Sequence, residues 1–262
     1  MTALAAILER RYELDVDERF EGPDLDPARW LPYHLPHWSS RAQSAARYEL
    51  ADGCLHLLIE RDQQPWCPEW DGETRVSSLQ TGVFAGAVGS EVGQHRFTSQ
   101  AVVREAQENV RLLTPQFGVV ELRARAVAAS EAMVALWMIG YEDRPERSGE
   151  ICVCEIFGRD VEDGSALVGM GVHPFGDSTI EDDFEQVRVP IDVREPHEYA
   201  VEWAPERVTF FVDGEPVRTV GQSPQYPMQL MLGIYEFADG PADRDYPKRF
   251  TIERLRVYRP LG

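Results

Sequence analysis

A chain of 262 residues with 45 acidic against 26 basic side chains carries a formal charge of −19, a field that repels phosphate backbones and anionic lipid headgroups. Nucleic acid and membrane surfaces are therefore not expected as partners, sulfated or uronic-acid polymers are disfavoured, and a neutral polymer is not. The apolar fraction is an ordinary 43 %, and no apolar run approaches the roughly 20 residues of a membrane helix.

Residues 1–15, MTALAAILERRYELD, lack the basic start and the small-residue cleavage site of a secretory leader and read as a turn or two of helix. As written the chain is expected in the cytoplasm, and outside the cell only if a leader precedes it. Helical periodicity then fades. Short β-rich runs recur between turn residues at 54–60, 118–127, 132–140, 150–158, 198–204, 207–214, 228–237 and 249–258, which predicts an all-β fold. Sandwiches of this length are often undivided, so residues 1–262 are expected to form a single domain.

Two loops, 31–38 (LPYHLPHW) and 64–75 (QPWCPEWDGETR), carry three of the six tryptophans. They fit either a sugar-stacking rim or plugs at the ends of a sandwich. The pair Asp213-Gly214 between two β-rich runs predicts a tight hairpin. In 249–258, Thr251, Glu253, Arg254 and Arg256 alternate with Ile252, Leu255 and Val257, with one slip. The four cysteines, Cys54, Cys67, Cys152 and Cys154, make no disulfide framework in so long a chain and are expected as free thiols. No second CxxC or HxxxH accompanies Cys152 and Cys154, so no metal site is assigned.

The run EICVCEIFG holds two glutamates, Glu150 and Glu155, five positions apart in an otherwise apolar strand. That spacing puts them on opposite faces of a regular strand. One extra residue, a bulge near Val153 or Cys154, would return Glu150, Cys152 and Glu155 to one face and leave Ile151 and Val153 in the core. Two carboxyls about 5–5.5 Å apart on a concave face are what retaining glycoside hydrolysis needs. Without the bulge, Glu155 simply faces solvent on the far side. The spacing alone leaves both open.

GEICVCEIFG (149–158) resembles the signature of glycoside hydrolase family 16, the laminarinase-type β-glucanases, in its bulged form: Glu, aliphatic, Asp, aliphatic, any residue, Glu. The resemblance extends along the chain in order. RFEGPDLDPARW (19–30) is similar to the family's opening strand and turn, FGVVELRARA (117–126) to its Gly-x-x-Glu-x-Arg strand, and ALWMIG (135–140) to the strand feeding the catalytic one. HEYAVEWAPERVTFFVDGEPV (197–217) resembles its Tyr-x-x-Glu-Trp hairpin, and FTIERLRVYRP its last strand.

This resemblance implies a jelly-roll β-sandwich of two curved antiparallel sheets, concanavalin A-like, with a cleft across the concave sheet. Glu150 would be the nucleophile and Glu155 the acid/base, with Trp137 and His173 lining the cleft. The implied activity is a retaining endo-hydrolase or transglycosylase, monomeric and needing no cofactor, acting on a neutral β-glucan, β-1,3-linked. Many relatives carry a structural calcium on the convex face, and Glu253 falls where the family often supplies an Asp ligand.

Three departures accompany the match. Cys152 stands where the family has an Asp between its glutamates, and losing that like charge is expected to lower the acid's pKa. The Trp-Pro that commonly precedes Gly-Glu is replaced by Arg144-Pro145 one step further away, and Gly233 stands where the family often has Asn. A non-catalytic, lectin-like carbohydrate-binding domain with a degenerate site therefore remains open, as does a scaffold whose cleft serves a protein partner.

Overall fold

The computed structural model describes residues 1–238 and 245–262. Its outer sheet runs Glu215–Val220, Arg207–Val212, His197–Ala204, Gly118–Arg125, Lys248–Pro260, Cys54–Ile59 and Arg47–Ala51, with Tyr12–Glu18 added beside Lys248–Pro260. Its inner sheet runs Val161–Glu162, Ser165–His173, Glu150–Phe157, Ala132–Gly140, Met228–Glu236 and Arg75–Gln80, with Asp183–Val189 beside Ser165–His173. Every pairing within the two sheets is antiparallel. This is the jelly-roll sandwich expected of the sequence.

Alternation decides the outer sheet. In Lys248–Pro260 the side chains of Phe250, Ile252, Leu255 and Val257 enter the core between the sheets. The slip in that pattern is a bulge, since the register against Gly118–Arg125 shifts between Ile252 and Arg254. Outward-facing Arg254 pairs with Asp17 at 2.5 Å, and Arg256 pairs with Glu121 and Glu198. The hairpin at Asp213-Gly214 has positive φ at both residues (50° and 76°), as a two-residue turn matching strand twist requires.

The inner sheet shows no such alternation because both its faces are covered. In Ala132–Gly140 the side chains of Val134, Leu136 and Met138 face the inter-sheet core. Met133, Ala135, Trp137 and Ile139 face a second cluster with Leu35, Trp38 and Trp66 from the two aromatic loops. A strand buried on both sides reads as a continuous apolar run. Of the loop tryptophans, Trp38 is a plug, fully buried with its indole donating to the Gln94 carbonyl at 2.9 Å. Trp70 lies under the Arg104 guanidinium, and Trp66 reaches the cleft.

The N-terminal residues form a helix, Ala3–Arg11, capped by the Thr2 hydroxyl, which accepts from the Ala5 N–H. Its Leu4 packs on Val119, Phe211 and Tyr258 of the outer sheet. Among the described residues no helix is long and apolar enough to cross a membrane. All four cysteines are free thiols.

Candidate active site

Strand Glu150–Phe157 carries the bulge that the glutamate spacing calls for. Against Ala132–Gly140, Glu150 pairs with Ile139 and Cys152 with Trp137, but Leu136 then meets Cys154, so Val153 is the extra residue. The other neighbour registers the same shift: His173 pairs with Glu150, Gly171 with Cys152, and Gly169 with Glu155. Ile151, Val153, Cys154 and Ile156 accordingly lie in the inter-sheet core. Glu150 and Glu155 together line a cleft of about 360 Å³ with Trp137 and His173. Cys152 is buried and is not among the residues lining the cleft, and its thiol donates to Glu150 Oε1 at 2.8 Å.

Close approach sets the neighbouring strand. A Cβ on Gly169 would stand 2.5 Å from the Phe184 ring and 3.1 Å from the Glu155 Cβ, so only glycine lets the acidic side chain and the aromatic ring share that position. Phe184 in turn stacks on His173 with ring centroids 4.9 Å apart.

Both carboxyls are shifted upward. Burial pushes Glu150 to about 7, the charge of Glu155 adds to this, and the Cys152 thiol and His173 pull the other way. Burial also raises Glu155, again with His173 opposing. At both carboxyls desolvation of the charged form is the larger effect. The Cys152 thiol is itself raised well above its usual range by burial and by both glutamates.

The site contains residues that strand periodicity does not flag. His95 stands with Nδ1 3.6 Å from Glu150 Oε2 and its ring 4.9 Å from that of Trp137. Burial pushes its pKa down to about 4, so it is neutral at pH 7. His34, pushed down to about 3 by burial, packs on Trp66 and Tyr235. Tyr235 accepts the Trp137 indole N–H at 3.0 Å. Phe175 closes one side against His95 and His173. His173 holds Asp182 through Nδ1 at 2.5 Å. The loops that bring in His34, His95 and Phe175 have no repeat from which a face could be read. The concentration of aromatics in 31–38 was the one signal of the first of them.

The convex-face calcium implied by the resemblance meets a poor ligand at Glu253. One of its oxygens takes the Arg123 guanidinium at 2.8 Å and the other takes Arg125 at 3.0 Å, so a cation there would have to displace two fixed positive charges.

With this geometry in view, comparison with known proteins is informative. Residues 113–253, more than half of the chain, match the model of glycosyl hydrolases family 16. A 70-residue stretch is 36 % identical to a Crh-like protein of Arthroderma benhamiae, covering 24 % of this chain and 15 % of that one. A 71-residue stretch is 38 % identical to Congo red hypersensitive protein 1 of Saccharomyces cerevisiae, covering 24 % and 14 %. The matches thus span a small part of those relatives. Among solved structures, the GlcNAcα1-4Gal-releasing endo-β-galactosidase from Clostridium perfringens is 28 % identical with a TM-score of 0.84, covering 95 % of this chain and 63 % of that one. A laminarinase from Flavobacterium sp. UMI-01 is 18 % identical with a TM-score of 0.64, covering 94 % and 100 %, a likeness of fold. The two-sheet sandwich, the bulged glutamate strand and the extent of the family match agree: the chain belongs to glycosyl hydrolase family 16.

Proposed function

We propose that the protein is a retaining endo-glycosidase that cleaves a β-linked polysaccharide, with Glu150 as nucleophile and Glu155 as acid/base. The observation that carries this is the bulge at Val153, which turns both carboxyls into one cleft where a regular strand would separate them. Glu150 attacks the anomeric carbon as the bond to the leaving sugar breaks, and Glu155 gives its proton to the leaving oxygen. Glu155 then takes a proton from the water that attacks the same carbon and frees Glu150. A sugar hydroxyl in place of that water would give transglycosylation. Burial that holds the Glu155 pKa up suits a group that must carry a proton before the first step. The Cys152 hydrogen bond favours the ionised form of Glu150. Trp137, its indole fixed by Tyr235, offers an apolar face for a sugar ring.

The sequence resemblance favours a neutral β-1,3-glucan. A β-galactosidic bond is the second reading, favoured because the likeness to the C. perfringens endo-β-galactosidase (28 % identity, TM-score 0.84) exceeds that to the laminarinase (18 %, 0.64). Release of reducing ends from laminarin and from β-galactosidic glycans, with proton NMR of the first-formed anomer, tests both. Turnover with retained configuration, abolished by Glu150→Gln, is expected. Oligosaccharide binding without any cleavage would make the cleft a lectin-like one and end the enzyme reading, and an inverted product would end the role given to Glu150.

A further inference from the structure

We propose that Glu150, Cys152 and His173 form a binding site for a thiophilic divalent cation of the zinc type, and that the bound ion blocks the catalytic cleft. One ligand atom from each residue lies within 4.8 Å of the other two. A thiolate, an imidazole and a carboxylate make a donor set suited to tetrahedral zinc, with a fourth position open. Calcium and magnesium, which take oxygen ligands, are poorly served by sulfur and nitrogen.

The geometry needs modest adjustment. Zinc–ligand bonds of about 2.0–2.3 Å in a tetrahedron set the donor atoms roughly 3.3–3.8 Å apart. The Cys152–Glu150 contact at 2.8 Å therefore opens as the thiol proton leaves, and the widest separation closes by about 1 Å. His173 can supply that movement, since its side chain is 30 % exposed. On binding, the Sγ–H bond breaks, a metal–sulfur bond forms and the proton passes to water. The thiolate and the Glu150 carboxylate then neutralise the two positive charges.

Two further contacts fit a metal site. Asp182 accepts from or pairs with His173 Nδ1 at 2.5 Å, the carboxylate–histidine arrangement that fixes a ligand ring and leaves Nε2 available. His95 Nδ1, buried and without a hydrogen-bond partner, stands 3.6 Å from Glu150 Oε2. Spacing along the chain conceals the set, because its third member comes from the adjacent strand through the His173–Glu150 pairing. Metal binding stands independently of the proposed activity; only inhibition rests on it.

Titration of the fully reduced protein with Co²⁺ under nitrogen tests the proposal. A thiolate-to-cobalt charge-transfer band should saturate at one ion per chain. Zn²⁺ should displace the cobalt, and at least one proton per ion should be released on loading. Cys152→Ser should remove the band, His173→Gln should weaken binding roughly tenfold or more, and Cys154→Ser, in the core, should leave it intact. If Cys152→Ser fails to fold, the His173→Gln variant, at a partly exposed position, decides the matter by the same titration. A band that does not saturate, that survives Cys152→Ser or that is indifferent to His173→Gln overturns the proposal, as does equal competition by Ca²⁺. Zn²⁺ should also inhibit hydrolysis of any substrate the protein cleaves. Failure to find turnover would sink the proposed function and leave the cobalt result to judge the site.

Discussion

The Trp137 indole donates to the Tyr235 hydroxyl at 3.0 Å, and the phenol reaches it across Gly233, where a Cβ would stand 2.9 Å from that oxygen. The glycine that departs from the family's usual Asn is thus the space a tyrosine side chain occupies. Tyr235→Phe would leave a buried indole N–H without its acceptor, at a cost of about 1–3 kcal/mol. Denaturant unfolding should register that loss, and kinetics should show KM raised more than kcat is lowered, since the indole would be free to turn from the sugar.

The contact between Cys152 and Glu150 sets the pH profile. With Glu150 pushed up to about 7 and required in its ionised form, kcat/KM should rise as pH rises through that value. Cys152→Asp adds a negative charge beside both glutamates and should move both limbs of the profile to higher pH. Cys152→Ser substitutes a stronger donor to Glu150 and should move the rising limb lower. Profiles recorded with a chelator present, and unchanged in both variants, would remove Cys152 from the working site.

Glu142 offers a stability test of opposite sign to an ordinary ion pair. It sits at φ 55°, accepts the His95 backbone N–H at 2.6 Å, and is pushed by burial from 4.5 to about 8. The folded state therefore prefers the protonated acid. That contribution is fully present below about 4.5 and is lost as pH rises through about 8. Glu142→Gln keeps the acceptor without the charge. Unfolding midpoints should nearly coincide at about pH 4, and at pH 9 the variant should be more stable by something on the order of 2–4 kcal/mol.

Gly169→Ala should be disproportionately harmful for one methyl group. The added carbon would meet the Phe184 ring at 2.5 Å and the Glu155 Cβ at 3.1 Å, and overpacking of this kind costs about 1–3 kcal/mol. Because Phe184 stacks on His173, kcat should fall along with the unfolding midpoint. Activity at the wild-type level would mean that Phe184 and Glu155 absorb the methyl group without moving the reacting carboxyl.

What could be read from the sequence was whatever leaves a period-2 trace. The slip at Glu253 and Arg254 became a bulge, Asp213-Gly214 became the hairpin, and the odd spacing of Glu150 and Glu155 became the extra residue at Val153. Strand Ala132–Gly140 could be recognised as a strand, but its cleft face could not be told from its core face, because apolar side chains cover both. His34, His95 and Phe175 arrive on loops whose course depends on packing against distant strands, so no local pattern announces them. The same holds for Trp38 and Trp66, neighbours in composition, of which one is sealed and the other lines the cleft.

Strand Tyr12–Glu18 lies antiparallel to Lys248–Pro260, Tyr12 pairs with Pro260, and the Leu261 N–H reaches the Arg11 carbonyl at 2.8 Å. Tyr12 and the end of the last strand thus lie side by side in the outer sheet, on the side away from the cleft, while helix Ala3–Arg11 carries Thr2 back to the hairpin at Gly214. A passenger protein or surface anchor attached at either end would sit behind the sandwich and leave the sugar path clear. A linker long enough to run back along that nine-residue helix would join the two ends, so that new termini opened in an exposed turn would yield a circular permutant with its glutamate strand undisturbed.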